Sequence, residues 1–124
     1  MTLKQALEKF DRVCKNNIPK EIKTEWISLL DASVFEEIIL THEDPIQTEF
    51  TPYDDTTPED TSLLIKEPYS EIYLCYLSMK KDLYYSDIAR YNNDLALYTA
   101  AYMNFENHYN SKHKHIKTVD YFNA

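Results

Sequence analysis

The sequence predicts an all-α fold: a small bundle of about four helices, with a long acidic extended connection between helices 2 and 3 and an extended C-terminal tail. Three observations predict it. The 124 residues include no glycine, the residue that the tightest hairpin turns favour. Apolar side chains recur at three- and four-residue intervals over several stretches, which is the period of one helix face. The five prolines fall between those stretches or in the connection, as expected of a residue that interrupts regular structure.

The first helix is expected over residues 2–15. Thr2 and Gln5 have the spacing of a capping box, in which hydroxyl and amide each satisfy an orphan backbone N–H. Leu3, Ala6, Leu7, Phe10, Val13 and Cys14 then share a face. Asn16-Asn17 end this helix, and Pro19 suits the first position of the next. The second helix is expected to reach about Thr41, with a stripe of Ile27, Leu30, Val34 and Ile38 and with Trp26 beside it. Asp31-Ala32-Ser33 marks a soft middle, because Ser33 and Glu36 offer another capping box.

Residues 43–67 change character. They hold three prolines, and eight acids against one lysine. Regular helix is excluded here, and a connection this long is functional or disordered. Ile46, Phe50, Tyr53, Leu63, Leu64 and Ile65 should pack its ends on the body, and 63–65 fits a short strand. Almost all of the net charge of −8 lies in this connection. Asp54, Asp55, Glu59 and Asp60 form its acidic centre, a local field that repels DNA or meets a basic partner.

Pro68 is expected to open a third helix that carries Tyr69, Ile72, Tyr73, Tyr76 and Leu77 and runs to about Tyr85. Ser86-Asp87 either caps a fourth helix or lies within one continuous rod. Ile88, Tyr91, Leu95, Tyr98, Tyr102, Phe105 and Tyr109 follow at intervals of 3, 4, 3, 4, 3 and 4, a seam of heptad spacing. The single helical domain is expected over 1–111, with 112–124 as a tail. That tail begins basic and ends in Val119, Tyr121 and Phe122.

The composition excludes several functions. Without glycine there is no phosphate-cradling loop and no nucleophile elbow. Without clustered Lys and Arg there is no broad phosphate-backbone groove. His108, His113 and His115 lack the three- or four-residue spacing of ligands on one helix face. Asp54, Asp55, Glu59 and Asp60 lack the glycine and alternation of a calcium loop. Cys14 and Cys75 read as reduced, buried thiols with no histidine placed beside them. His42, after a helix's last turn, reads as a cap. No catalytic residue, cofactor or metal is therefore expected, and the protein is not expected to be an enzyme. No run approaches bilayer length, and Met1-Thr2-Leu3-Lys4 lacks the apolar core of a signal peptide. The expectation is an intracellular, soluble protein.

The eleven tyrosines need hydroxyl partners or a partly wet surface, and tyrosine is enriched at protein interfaces. Tyr91, Tyr98 and Tyr102 on the seam, with Tyr121 and Phe122 in the tail, are the candidate partner-binding residues. Trp26-Ile27-Ser28-Leu29-Leu30-Asp31, Val34-Phe35-Glu36-Glu37-Ile38-Ile39, Glu67-Pro68-Tyr69-Ser70-Glu71-Ile72-Tyr73, Arg90-Tyr91-Asn92-Asn93-Asp94-Leu95 and Ala100-Ala101-Tyr102 together resemble the head–tail connector (adaptor, or head-completion) proteins of tailed phages and prophages. The resemblance spans roughly residues 3–111 and rests on helical texture. It implies a structural virion-assembly protein that forms a homo-oligomeric ring below the portal. It also implies contacts with the portal and tail-completion proteins, DNA passing without specific binding, and residence first in the host cytoplasm and then in the virion neck. On that plan Asp54, Asp55, Glu59 and Asp60 face the channel. The competing expectation is a small acidic inhibitor or DNA mimic that occupies a DNA-processing partner.

Overall fold

A computed structural model describes residues 1–42, 45 and 47–112. The fold is all-α, as the apolar periods require. Helix α1 spans Leu3–Val13, α2 Lys20–Val34, α3 Ile72–Tyr84 and α4 Ile88–Lys112. Helix α3 is central, since α1, α2 and α4 all pack on it.

The capping box at the start of α1 is formed. Gln5 N–H donates to Thr2 Oγ1 at 3.2 Å, and Thr2 N–H donates to Gln5 Oε1 at 2.9 Å. Leu3, Ala6, Leu7 and Phe10 are buried on one face. The helix ends earlier than the apolar pattern implies: Val13 is exposed, and Cys14 has extended backbone as the C-cap. Cys14 and Cys75 are half-buried free thiols.

Pro19 is the residue before α2 rather than its first. The rod is continuous through Asp31-Ala32-Ser33, so no second capping box interrupts it. It loosens one turn later, where Phe35–Ile39 forms a π-helical turn. A π turn rotates the chain against the α period, and this one keeps Phe35, Ile38 and Ile39 all buried.

The connection is extended but closely held. Leu3 N–H donates to Thr61 O at 2.9 Å, Lys4 N–H to Glu59 O at 2.9 Å, and Leu63 N–H to Met1 O at 3.0 Å. The first donors of a helix have no partner within it; here the connection supplies the acceptors. Residues 63–65 form no strand. An isolated antiparallel bridge pairs Thr2 with Ser62. Leu63 and Ile65 nevertheless lie fully in the core.

Pro68 does not open a helix directly, because turns over 68–71 come first and α3 begins at Ile72. Helices α3 and α4 are distinct. Ser86 has φ 58°, in the left-handed region; glycine usually takes such a position, but this chain has none. Asp87 then caps α4 by accepting from Arg90 N–H at 3.2 Å. The expected tail beyond Lys112 lies outside the described residues.

Candidate functional site

Helix α4 is amphipathic in an unusual sense. Its inner seam packs on α3 within the same chain. Tyr98 lies against Tyr76, with ring centroids 5.2 Å apart, and Tyr102 lies between Tyr98 (5.8 Å, tilted) and Phe105 (6.3 Å, edge to face). Tyr91, Tyr98 and Tyr102 are therefore half-buried against their own molecule. Burial raises the Tyr98 and Tyr102 hydroxyls well above the ordinary tyrosine range. Tyr121 and Phe122 lie outside the described residues.

The outer face of α4 differs. Between Arg90 and Lys112 every exposed residue of the helix is uncharged, including Asn93, Ala96, Leu97, Ala100, Met103 and Asn107. A helix facing water normally places charge there. Ten large apolar side chains are exposed among the described residues. Seven belong to the α3–α4 hairpin: Leu83, Tyr84, Tyr85, Ile88, Leu95, Leu97 and Met103. The sequence signal for this face is the same helical spacing, read on the side that the aromatic seam leaves uncovered.

The acidic centre of the connection forms a turn. Thr57 N–H donates to Asp54 O at 3.1 Å, and Asp54 Oδ1 accepts from Thr56 N–H at 2.8 Å. The Thr56 hydroxyl and N–H together hold the Asp54 carboxyl below its usual range. Glu59 pairs with Lys20, which lowers the Glu59 carboxyl in the same way. Asp54, Asp55, Glu59 and Asp60 are all exposed. The turn sits beside the starts of α1 and α2, where Leu3, Lys20 and Thr24 share a cavity with it.

Beneath the connection, at the soft middle expected in α2, lies a polar hub. Asp31 is fully buried. Its Oδ1 accepts from the Tyr73 hydroxyl at 2.6 Å, and its Oδ2 accepts from the Tyr53 hydroxyl at 2.7 Å and from Leu64 N–H at 3.0 Å. Tyr73 in turn accepts from Ile65 N–H at 2.8 Å. Burial raises the Asp31 carboxyl above its usual range, although these hydrogen bonds favour the charge. One carboxyl thus ties α2, the connection and α3 together. Its signal was present: Asp31 stands four residues after Ile27 and three before Val34, inside the apolar stripe.

His42 is buried after the π turn. Its Nδ1 donates to the Ile38 carbonyl, and its Nε2 lies 2.7 Å from Asn110 Oδ1. The ring caps the end of the α2 rod and joins it to α4. No helix among the described residues is long and apolar enough to cross a membrane, and no cluster of three metal-ligating side chains occurs among them. Comparison of the chain with protein-family models, curated proteins and solved structures finds no match.

Proposed function

We propose that this protein is a structural assembly subunit that acts through surface contact, and specifically a head–tail connector of a tailed phage or prophage. The observation that carries the reading is the outer face of α4, uncharged between Arg90 and Lys112 on a chain of net charge −8. Its apolar part, Leu97, Ala100 and Met103, is the kind of exposed surface that marks a contact with a partner. It also meets another surface without the like-charge contacts that most faces of an acidic protein would bring.

A ring requires side-to-side contacts between unlike patches that close on themselves. The α3–α4 hairpin, with Leu83, Tyr84, Tyr85 and Ile88 exposed at its tip, supports one half of such a contact. The acidic turn supports a second feature of the reading. With Asp54, Asp55, Glu59 and Asp60 facing the lumen, duplex DNA is repelled from the wall and slides past.

The test is the Leu97→Glu, Ala100→Glu double variant, which places two charges on the exposed face without touching the core. Filled heads that fail to join tails, with ring density below the portal lost in electron micrographs, are the expected result. Normal particles would count against the reading. So would a salt-sensitive one-to-one complex with a DNA-binding protein, which belongs to an acidic inhibitor.

A further inference from the structure

Asp82 lies near the end of α3 and is 1% exposed. Among the described residues no donor reaches either of its carboxyl oxygens, and both are closed off from solvent. The Lys81 ammonium stands 3.9 Å away, beyond ordinary hydrogen-bond length. Folded proteins seldom leave a buried polar group in this state without a reason. The carboxyl needs something that the nearby donors do not supply.

A second carboxyl lies within hydrogen-bonding reach: that of Asp94, in the second turn of α4. Two ionised carboxylates only accept, so they cannot bond to each other. With one proton between them, one donates, the other accepts, and a single charge stands in place of two. The other charges offer no substitute. Asp87, in the turn between the helices, adds a further negative charge and is itself 3.9 Å from Arg90. Lys81 opposes the carboxylates without donating to Asp82. The charges acting on Asp82 thus come from α3, the turn and α4. Burial first, and Asp94 second, push its carboxyl up to about 7.

Losing such a proton has a mechanical result. Asp82 is walled in, so its charged form needs water, and water needs space. Helix α4, which brings Asp94, packs along α3. The two helices are joined by a tight turn in which the Asp87 N–H donates to the Asp82 carbonyl at 2.8 Å. Farther from the turn, the rings of Tyr76, Tyr98, Tyr102 and Phe105 hold the helices together. Asp82 lies between the two fastenings.

We propose that Asp82 and Asp94 hold one proton between them, and that this proton latches the turn end of the α3–α4 hairpin, which parts when the proton leaves to water. The inference concerns the single molecule and does not depend on the assembly reading. The closed hairpin binds the proton and the parted one releases it, so mild acid closes the latch and neutral pH loosens it. Its consequence is that the apolar tip, Leu83, Tyr84, Tyr85 and Ile88, is fixed in mild acid and free to rearrange around a partner at neutral pH.

The test is NMR of the full chain from pH 4 to 8, following the carboxyl carbons and the exchange of backbone amides. The Asp82 carboxyl is expected to titrate near 7. Asp94→Asn should lower that titration by about one pH unit or more, because it removes the second carboxyl and leaves the burial. Protection of the Asp87 amide, corrected for the intrinsic rate, should fall about tenfold per pH unit between pH 5 and 7 and then level off. At every pH this amide should exchange faster than that of Ile65, which the buried Tyr73 hydroxyl holds in the core. Asp82→Asn, whose amide donates to Asp94 without a titrating proton, should abolish the fall. An Asp82 carboxyl that titrates near 4, or one indifferent to Asp94→Asn, would overturn the shared proton. Equal exchange at Asp87 and Ile65 would overturn the latch, since the hairpin would then part only when the whole protein unfolds.

Discussion

A carboxylate removed from water must find donors or give up its charge. Asp31 finds donors: two tyrosine hydroxyls and one backbone N–H. Tyr73→Phe removes one of them and also strips the acceptor from Ile65 N–H. It should cost about 1–3 kcal/mol, the penalty for stranding buried polar groups, read as a lower urea midpoint with an unchanged slope. Asp82 is held in the other way. Its side chain is 1% exposed, neither oxygen has a hydrogen-bond partner, and the Lys81 ammonium is 3.9 Å away. Burial, and then Asp94 across the hairpin, push its carboxyl up to about 7. The folded state therefore holds the proton more tightly than the unfolded chain, whose carboxyl titrates near 3.8. The stability this contributes is full below the unfolded value and is lost as pH rises toward 7. Thermal melts should show the wild-type protein losing stability between pH 4 and 7 from this group. Asp82→Asn should flatten that fall and melt higher than wild type at pH 8.

The helices differ in how they start. Helix α1 depends on Thr2, whose hydroxyl caps it and whose neighbours receive the connection. Thr2→Ala should cost about 1 kcal/mol, the usual worth of an N-cap, measurable by chemical denaturation. Both halves of that capping box were legible in the sequence, because they are three residues apart and the geometry is local. So were α1, the α2 stripe and the α4 seam, each set by a period within one element. The path of the connection was not legible beyond a tendency for its apolar ends to pack. Leu63 reaches the core through pairing with residues 1–4, and Ile65 through the Tyr73 hydroxyl; nothing local encodes that register. The soft point expected at Asp31-Ala32-Ser33 falls one turn later, at the Phe35–Ile39 π turn, for a related reason. Apolar residues on every side of that turn satisfy several periods at once, and tertiary packing chooses among them. Of the candidate site, the tyrosine spacing of α4 was legible, but a single chain uses that spacing internally against α3. The uncharged outer face was present in the same string and carries no aromatic signal.

At the scale of the whole molecule, three helices converge on α3, and the connection binds the start of the chain to its middle. The amides of Leu3, Lys4 and Leu63 donate across that junction. They should exchange with solvent only as slowly as core amides of α3, because opening them means releasing Leu63 and Ile65. Hydrogen exchange followed by mass spectrometry or NMR checks this. Faster exchange at those three amides would mean that the connection detaches without unfolding the bundle.

The junction also sets an order on synthesis. Eleven residues of α1 are too short to hold a helix in water unaided, and the backbone acceptors for Leu3 and Lys4 lie at residues 59–61. While the ribosome makes the second helix, the first still lacks α3 and the acceptors that hold its start. It settles only after residues 59–61 have emerged, so a helix made before them is fixed after them.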